Sequence, residues 1–245
     1  MGVLAFLALG EVVGRLGLTD RDSLPPTSAV LRQLGIVATD SSFWSDVWVT
    51  TRSWLLGLGI AALIALLVGV VLGSIPLVNA AVRVVVEFLR PIPSVASVSV
   101  AIILFGLGTQ MRLFVVVYAA IWPTLFNTIY GLMEVDPLAK ETARSFGFGR
   151  LAVLRRVALP SAAPFAFTGL RLSAGTALIV EISVELIAGS DGGIGAFIVT
   201  ESSASGHTDA ILAATLVTGA LGFLANEGLE AVGRKLFRWT EVGAG

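Results

Sequence analysis

The sequence has 245 residues, 56% of them hydrophobic and only 13% charged, against about 45–50% apolar and about 25% charged in an ordinary soluble domain. With a mean hydropathy of +0.90, this balance excludes a water-soluble globular enzyme and describes an integral membrane protein. The lack of cysteine excludes a disulfide framework and a thiolate metal site, the lone His207 excludes a histidine-rich metal cluster, and a formal net charge of −1 offers nothing to nucleic acid.

A helix needs ~20 apolar residues to cross a bilayer. In chain order the apolar runs place spans near 2–18, 52–74, 92–108, 111–132, 160–188 and 208–232, about six transmembrane helices in an all-α membrane protein with one transmembrane domain over 1–245. The first run, "MGVLAFLALGEVVGRLGL", has no basic start and no small-residue cleavage site, and Glu11 and Arg15 interrupt it, so it reads as a membrane helix and not as a leader. In the second run Gly57, Ala61, Ala65, Gly69 and Gly73 recur every fourth residue on one helix face, where small side chains admit a second helix closely. The third span reads as the continuation of a helix from about Leu77, with Arg83, Glu87 and Arg90 in the headgroup region. Pro91, Pro93 and Pro123 bend or start helices, because proline removes a backbone donor. Asn127 and Thr128 read as helix-end hydrogen bonders.

Orientation follows from the basic residues in short loops. Arg83 and Arg90, then Lys140, Arg144, Arg150, Arg155 and Arg156, then Arg234, Lys235 and Arg238 fall in alternate loops. Arg21, Arg32 and Arg112 fall in the opposite ones, with Arg52 at a span edge, and Gly189 to Asp209 contains no Lys or Arg. The first set is therefore expected in the cytoplasm, with both termini. "GSDGGIG" at Gly189–Gly195 is then an external turn, re-entrant or on the surface, able to meet a solute-delivering protein, and His207 marks the start of the last span or an external surface.

The loop between the fourth and fifth spans, about 134–157, carries its own helix. Asp136 is a good N-cap, Pro137 suits the first helical position, and Gly147 can take the left-handed conformation that ends a helix, so the segment from Pro137 to Phe146 is expected to be helical. Within "ETARSFGFGRLAVLRRVALP", Glu141, Thr142 and Ala143 are followed by Gly147 after three residues and by Val157, Ala158, Leu159 and Pro160 nine residues later. This resembles the EAA signature loop of ATP-binding-cassette importer permeases, with Thr142 in place of alanine and Val157 in place of isoleucine. "LPPTSAVL", "RPIPSVASVSVAIILFGLG", "FNTIYGL", "LPSAAPFAFTGLRLSAGTALIVEISVELI" and "LFRWTE" resemble the permeases of sulfonate, taurine and nitrate importers.

The resemblance implies a type I importer permease fold in a bacterial inner membrane and a pathway formed by two permease copies, identical or sister chains. It further implies two cytoplasmic ATPases, which hold the ATP and Mg, and an external solute-binding protein. No cofactor is then bound by this chain. Glu141, Thr142, Ala143, Gly147, Leu159 and Pro160 would form the ATPase-coupling element, and the solute would be a small polar or anionic compound such as a sulfonate, taurine, nitrate or a thiamine precursor. The residues themselves support one part of this. A phosphate-binding loop needs a lysine after a glycine-rich turn, and neither Lys140 nor Lys235, the two lysines, stands in one.

Ionisable groups inside a membrane are functional candidates by default. The fifth span holds Arg171, Glu181 and Glu185 as pathway or gate candidates. Glu181 and Glu185 share a helix face, and either they line the pathway or they end near external water. Arg171 lies too far along the helix from Glu181 to pair with it and is expected to face the bundle or a neighbouring subunit. An ion-coupled carrier using Glu181 and Glu185 is the alternative function, and it would need inverted repeats and discontinuous midplane helices.

Overall fold

The structure is a computed structural model that describes residues 2–16, 25–189, 192–203 and 207–238. Arg21, the last two residues of the first expected span, Ser190 and Asp191 of the glycine-rich turn, and Trp239 to Glu241 of the closing motif lie outside the described residues. Among the described residues every regular element is helical: α1 (Gly2–Leu16), α2 (Thr27–Val37), α3 (Ser41–Ser74), α4 (Pro76–Leu89), α5 (Ser97–Phe105), α6 (Thr109–Met133), α7 (Pro137–Ser145), α8 (Arg150–Val153), α9 (Leu159–Ala188), α10 (Ile194–Ser202) and α11 (Thr208–Leu236). Each of the six expected spans falls mainly on one of these helices. By length and apolarity α3, α6 and α11 can cross a membrane outright, and α4 with Ser94–Phe105 makes a fourth if that bent pair is one span. The 30-residue α9 is as long but carries the three charges noted above.

Helices α3, α6 and α9 form the centre. Trp54, Leu58 and Ala61 of α3, Met111, Val115 and Ala120 of α6, and Ala174, Ala177 and Leu178 of α9 pack into one cluster. The reason is the small residues. A Cβ added at Gly57 would lie 2.6 Å from Val116 Cγ1, one at Gly69 2.8 Å from Thr128 Cβ, and one at Gly73 2.9 Å from Leu132 Cβ, while Ala61 and Ala65 are fully buried. Gly131 and Gly169 play the same part between α6 and α9, where Cβ atoms would meet Phe165 and the Pro123 carbonyl at 2.7 Å. In a membrane, helices associate through close packing and interhelical hydrogen bonds, because lipid offers no hydrophobic drive.

Helix α3 begins at Ser41, where the sequence places the span from 52. The Asp40 carboxylate accepts from Ser42 N at 2.8 Å and caps the helix, and that hydrogen bond holds the carboxyl below its usual range. The extra turns bury Phe43 and Val47 against Ile194 and Ala214, closing the end of the bundle away from α7. The single third helix is also corrected. The chain runs helically from Pro76 as expected but breaks at Arg90–Pro93, and the two pieces are bent by 74°. Pro91 and Pro93 cannot continue the ladder, and the chain restarts through a short 3₁₀ turn, Ser94–Ala96.

Inside α6, Pro123 lacks the donor that a regular helix would aim at the Ala119 carbonyl, and side chains bond the backbone groups that follow. The Ser173 hydroxyl of α9 donates to the Ala120 carbonyl at 2.6 Å and accepts from Thr124 N at 3.2 Å. Asn127 Nδ2 donates to the Pro123 carbonyl at 2.8 Å, and the Thr128 hydroxyl donates to the Thr124 carbonyl at 2.7 Å. At the other end of the chain Glu11 ties α1 to α2, accepting from Arg15 and from both the backbone and the hydroxyl of Ser28.

Candidate functional site

The first candidate element is the loop that carries α7. Asp136 Oδ1 accepts from Leu138 N at 2.8 Å and Pro137 occupies the first turn, so the helix start is fixed by two adjacent residues. At the other end Phe148 N donates to the Ala143 carbonyl at 3.2 Å and Gly147 N to the Arg144 carbonyl at 2.9 Å, with Gly147 at φ +84°. This is the paired 6→1 and 5→2 bonding of a glycine-terminated helix. Ala143 is buried against the body, whereas Glu141 and Thr142 are exposed beside Leu138 (67% exposed) and Phe146 (80%). The short helix therefore turns its small residue inward and an apolar and acidic face outward.

The chain then resumes helix at Arg150 and runs through a wide five-residue turn, Leu154–Ala158, straight into α9, although the sequence places the loop out to about 157. Leu159 N donates to the Leu154 carbonyl, five residues back. The wide turn has a cause in Pro160, which in a regular helix would clash with the carbonyl four residues earlier. Leu159 packs beside Leu132, Val135, Ala158 and Ala162, and Pro160 sits exposed in the first turn of α9. From Arg150 the chain is therefore helical without interruption to the end of α9.

The second element is a buried charge cluster at the far end of α9. Glu181 is fully buried and Glu185 is 2% exposed, so neither ends in external water. Arg112, which loop counting assigns to an external loop, is 4% exposed and lies between them, with Nη1 3.4 Å from Glu185 Oε1 and 3.8 Å from Glu181 Oε1. Glu185 is held on every side. The Thr50 hydroxyl donates to its two oxygens at 2.8 and 3.0 Å, and Gly195 N donates to Oε2 at 2.9 Å. The glycine-rich turn thus wraps inward. Ile194 N donates to Thr50 Oγ1 at 2.9 Å, Gly193 N to Asp46 Oδ1 at 2.8 Å, and Arg112 Nη1 to the Gly192 carbonyl at 3.3 Å. Glycine is required here: Gly193 sits at φ +114°, and a Cβ on it would lie 2.2 Å from Glu185 Oε1.

Arg171 belongs to neither element. Its Nη2 donates to Glu230 Oε2 at 2.9 Å and to Asn226 Oδ1 at 3.2 Å, so it faces α11 of its own bundle. Glu181, Glu185 and Arg171 therefore form two separate constellations along one helix. His207 stands at the start of α11 and pairs with Glu201.

Sequence reasoning missed Arg112, Thr50, Asp46 and Ser173. A signal existed for two of them. Arg112, Val115, Val116, Ala119 and Ala120 fall at helical spacing and are all buried, as are Phe43, Val47, Thr50 and Trp54. The polar residue in each series sits on the packed face of its helix.

Comparison with known proteins identifies the family and the fold. Residues 57–238 match the family model described as binding-protein-dependent transport system inner membrane component. The chain is 30% identical over 224 residues to a putative ABC transporter permease protein of Methanocaldococcus jannaschii, covering 89% of this chain and 83% of that protein. It is 31% identical over 245 residues to the taurine transport system permease protein TauC of Escherichia coli, covering 98% and 88%. Its fold is similar to that of a chain in an inward-facing structure of the MetNI methionine ABC transporter, with a TM-score of 0.66 at 19% identity over 78% of this chain and 94% of that one.

Proposed function

The chain belongs to the family of binding-protein-dependent transport system inner membrane components, the permeases of ATP-binding-cassette importers, and from that premise we propose how it works. Two permease copies enclose a pathway, two cytoplasmic ATPases dock on the α7 loops, and an external binding protein delivers a small anionic or polar solute of the sulfonate, taurine or nitrate kind, or a thiamine precursor. Likeness to a taurine permease supports this solute class. In this reading the protein lies in a bacterial inner membrane with both termini in the cytoplasm, and ATP and Mg are held by the partner.

One observation carries the coupling role: the α7 segment lies outside the apolar spans yet exposes Leu138 and Phe146 on either side of the exposed Glu141. Exposed apolar groups rimmed by charge, on a helix whose ends are both capped, mark a protein interface. ATP-driven closure of the ATPases would move α7, and the continuous helix from Arg150 would convey that movement to α9.

The test is to tag the chain in its native host, extract it in mild detergent and identify what co-purifies by mass spectrometry. Recovery of an ATP-binding-cassette ATPase supports the reading, and the presence or absence of a second permease chain beside it distinguishes sister from identical permeases. If none appears even after crosslinking through Glu141–Gly147, the coupling role is lost and the ion-coupled carrier becomes the working alternative. That carrier requires Glu181 and Glu185 to reach a water-filled path, whereas both are enclosed and Glu185 is engaged on both oxygens.

A further inference from the structure

A groove of about 680 Å³ opens beside α7, between the ends of α3 and α6 and the helix that begins at Arg150. Three basic side chains line it: Lys140 and Arg144 of α7 and Arg150 of α8. Apart from Ser74 its other walls are apolar, with Ile75, Leu151 and Leu154 among them, and no acidic residue is among the described lining residues. None of the three basic groups forms an ion pair within 4 Å among the described residues, while Arg83, Arg171 and Arg234 each have a carboxylate partner. Lys140 Nζ instead donates to the Leu132 carbonyl at 3.2 Å, which fixes the ammonium at the end of α6.

We propose that this groove binds the headgroup of an anionic phospholipid, with Lys140, Arg144 and Arg150 around the phosphate and the first acyl carbons against Leu151, Leu154 and Ile75. The charge pattern selects the ligand. Three uncompensated cations at the end of membrane helices attract a phosphate, and an apolar wall continuous with the spans favours a lipid over a free ion. A lipid held there would lie between α7 and the ends of α3 and α6, against the helix from Arg150 that carries the proposed coupling movement. The inference rests on the reading above that this end of the bundle faces the cytoplasm at the membrane surface. Its readout is lipid retention by the permease itself, so it fails or stands separately from ATPase docking.

The experiment is native mass spectrometry of the purified full-length chain in detergent with equal amounts of phosphatidylglycerol and phosphatidylcholine. The expected result is preferential retention of phosphatidylglycerol, weakened roughly fivefold for each cation removed in Lys140→Gln, Arg144→Gln and Arg150→Gln. The preference is expected to persist in Arg234→Gln/Lys235→Gln, which removes the same kind of charge elsewhere. The three changes are made singly, so the test stays readable if one of the variants does not fold. Equal retention of both lipids, or a preference unchanged in all three single variants, overturns the proposal. So does displacement of phosphatidylglycerol by inorganic phosphate at equal concentration, which would make the groove a site for a free anion.

Discussion

Thr50 and Glu185 stand 135 positions apart, and the Thr50 hydroxyl donates to both oxygens of the buried Glu185 carboxylate, at 2.8 and 3.0 Å. The same hydroxyl accepts from Ile194 N. One threonine thus joins α3, α9 and the turn into α10, and Arg112 Nη1, 3.4 Å from Glu185 Oε1, sets a cation beside that buried carboxylate. Removing one partner of a buried ion pair costs about 3–5 kcal/mol, and leaving a buried polar group unsatisfied costs about 1–3 kcal/mol. Glu185→Ala is expected to fall in the first range and Thr50→Val in the second. Unfolding in detergent checks both, and the double variant should lose less than the sum because the two residues share one network.

The glycine-rich turn offers a sharper test of that network. At Gly193 any side chain meets both an unfavourable backbone conformation and the Glu185 carboxylate, whereas a Cβ at Gly189 meets nothing within 4 Å, although φ there is +58°. Gly193→Ala is expected to destabilise the protein by roughly 1–3 kcal/mol, through strain of the order stored at such positions. Gly189→Ala carries only the left-handed penalty of about 1–2 kcal/mol. The discriminating measurement is solvent accessibility of the turn. Hydrogen exchange at Ile194 and Gly195 should rise in Gly193→Ala and remain near wild type in Gly189→Ala.

What the sequence made legible was local. Asp136, Pro137 and Gly147 delimit α7 because caps act on the nearest turn, and the small-residue stripe of α3 is visible because spacing alone puts five residues on one face. Arg112 was not legible to loop counting, since that method asks how far a charge lies from a span and not which way it points. It is only three residues into α6, yet on the packed face. The 74° bend was half visible: Pro91 and Pro93 mark a break, but its angle is not local, since Val82 and Val86 of α4 pack against the cluster of Leu125 and Ile129 in α6. Nothing local distinguishes Ser173 from the other serines of α9, because its role depends on Pro123 of another helix.

Close approach along the stripe should be reversible by design. A methyl group at Gly57 would meet Val116 Cγ1 at 2.6 Å in a fully packed interface. Gly57→Ala is expected to cost about 1–3 kcal/mol by overpacking, and adding Val116→Ala should restore most of it by removing the atom that is struck. Gly59 is the control, because a Cβ there meets nothing within 4 Å. Thermal unfolding of the three variants and the wild type in one detergent decides the matter: if the double variant is no better than Gly57→Ala, α3 and α6 do not meet in this register.

The Ser173 splice across the Pro123 break predicts an effect without a volume change. Ser173→Ala leaves Thr124 N and the Ala120 carbonyl buried with their shared partner gone, a loss of about 1–3 kcal/mol. Replacing Pro123 by alanine in the same chain restores a backbone donor at position 123 but not the missing hydroxyl, so Ser173→Ala should remain destabilising there. A stability equal to wild type for Ser173→Ala would mean that α6 rebonds by itself at the break.

The outward face of α7 separates docking from folding. Phe146 is 80% exposed and contributes little to the core, so Phe146→Glu should leave insertion and unfolding temperature near wild type while introducing a buried charge into any partner groove. Capture of an ATPase from the native host is expected to fall at least roughly tenfold, as expected from about 1.4 kcal/mol of lost affinity or more. Gly147→Asp acts differently. It burdens the φ +84° position, loosens the end of α7 and should weaken capture with some loss of local order. If Phe146→Glu retains full capture while Gly147→Asp loses it, the partner grips the turn after α7 and not its exposed apolar face. If both retain full capture, α7 is not the docking element.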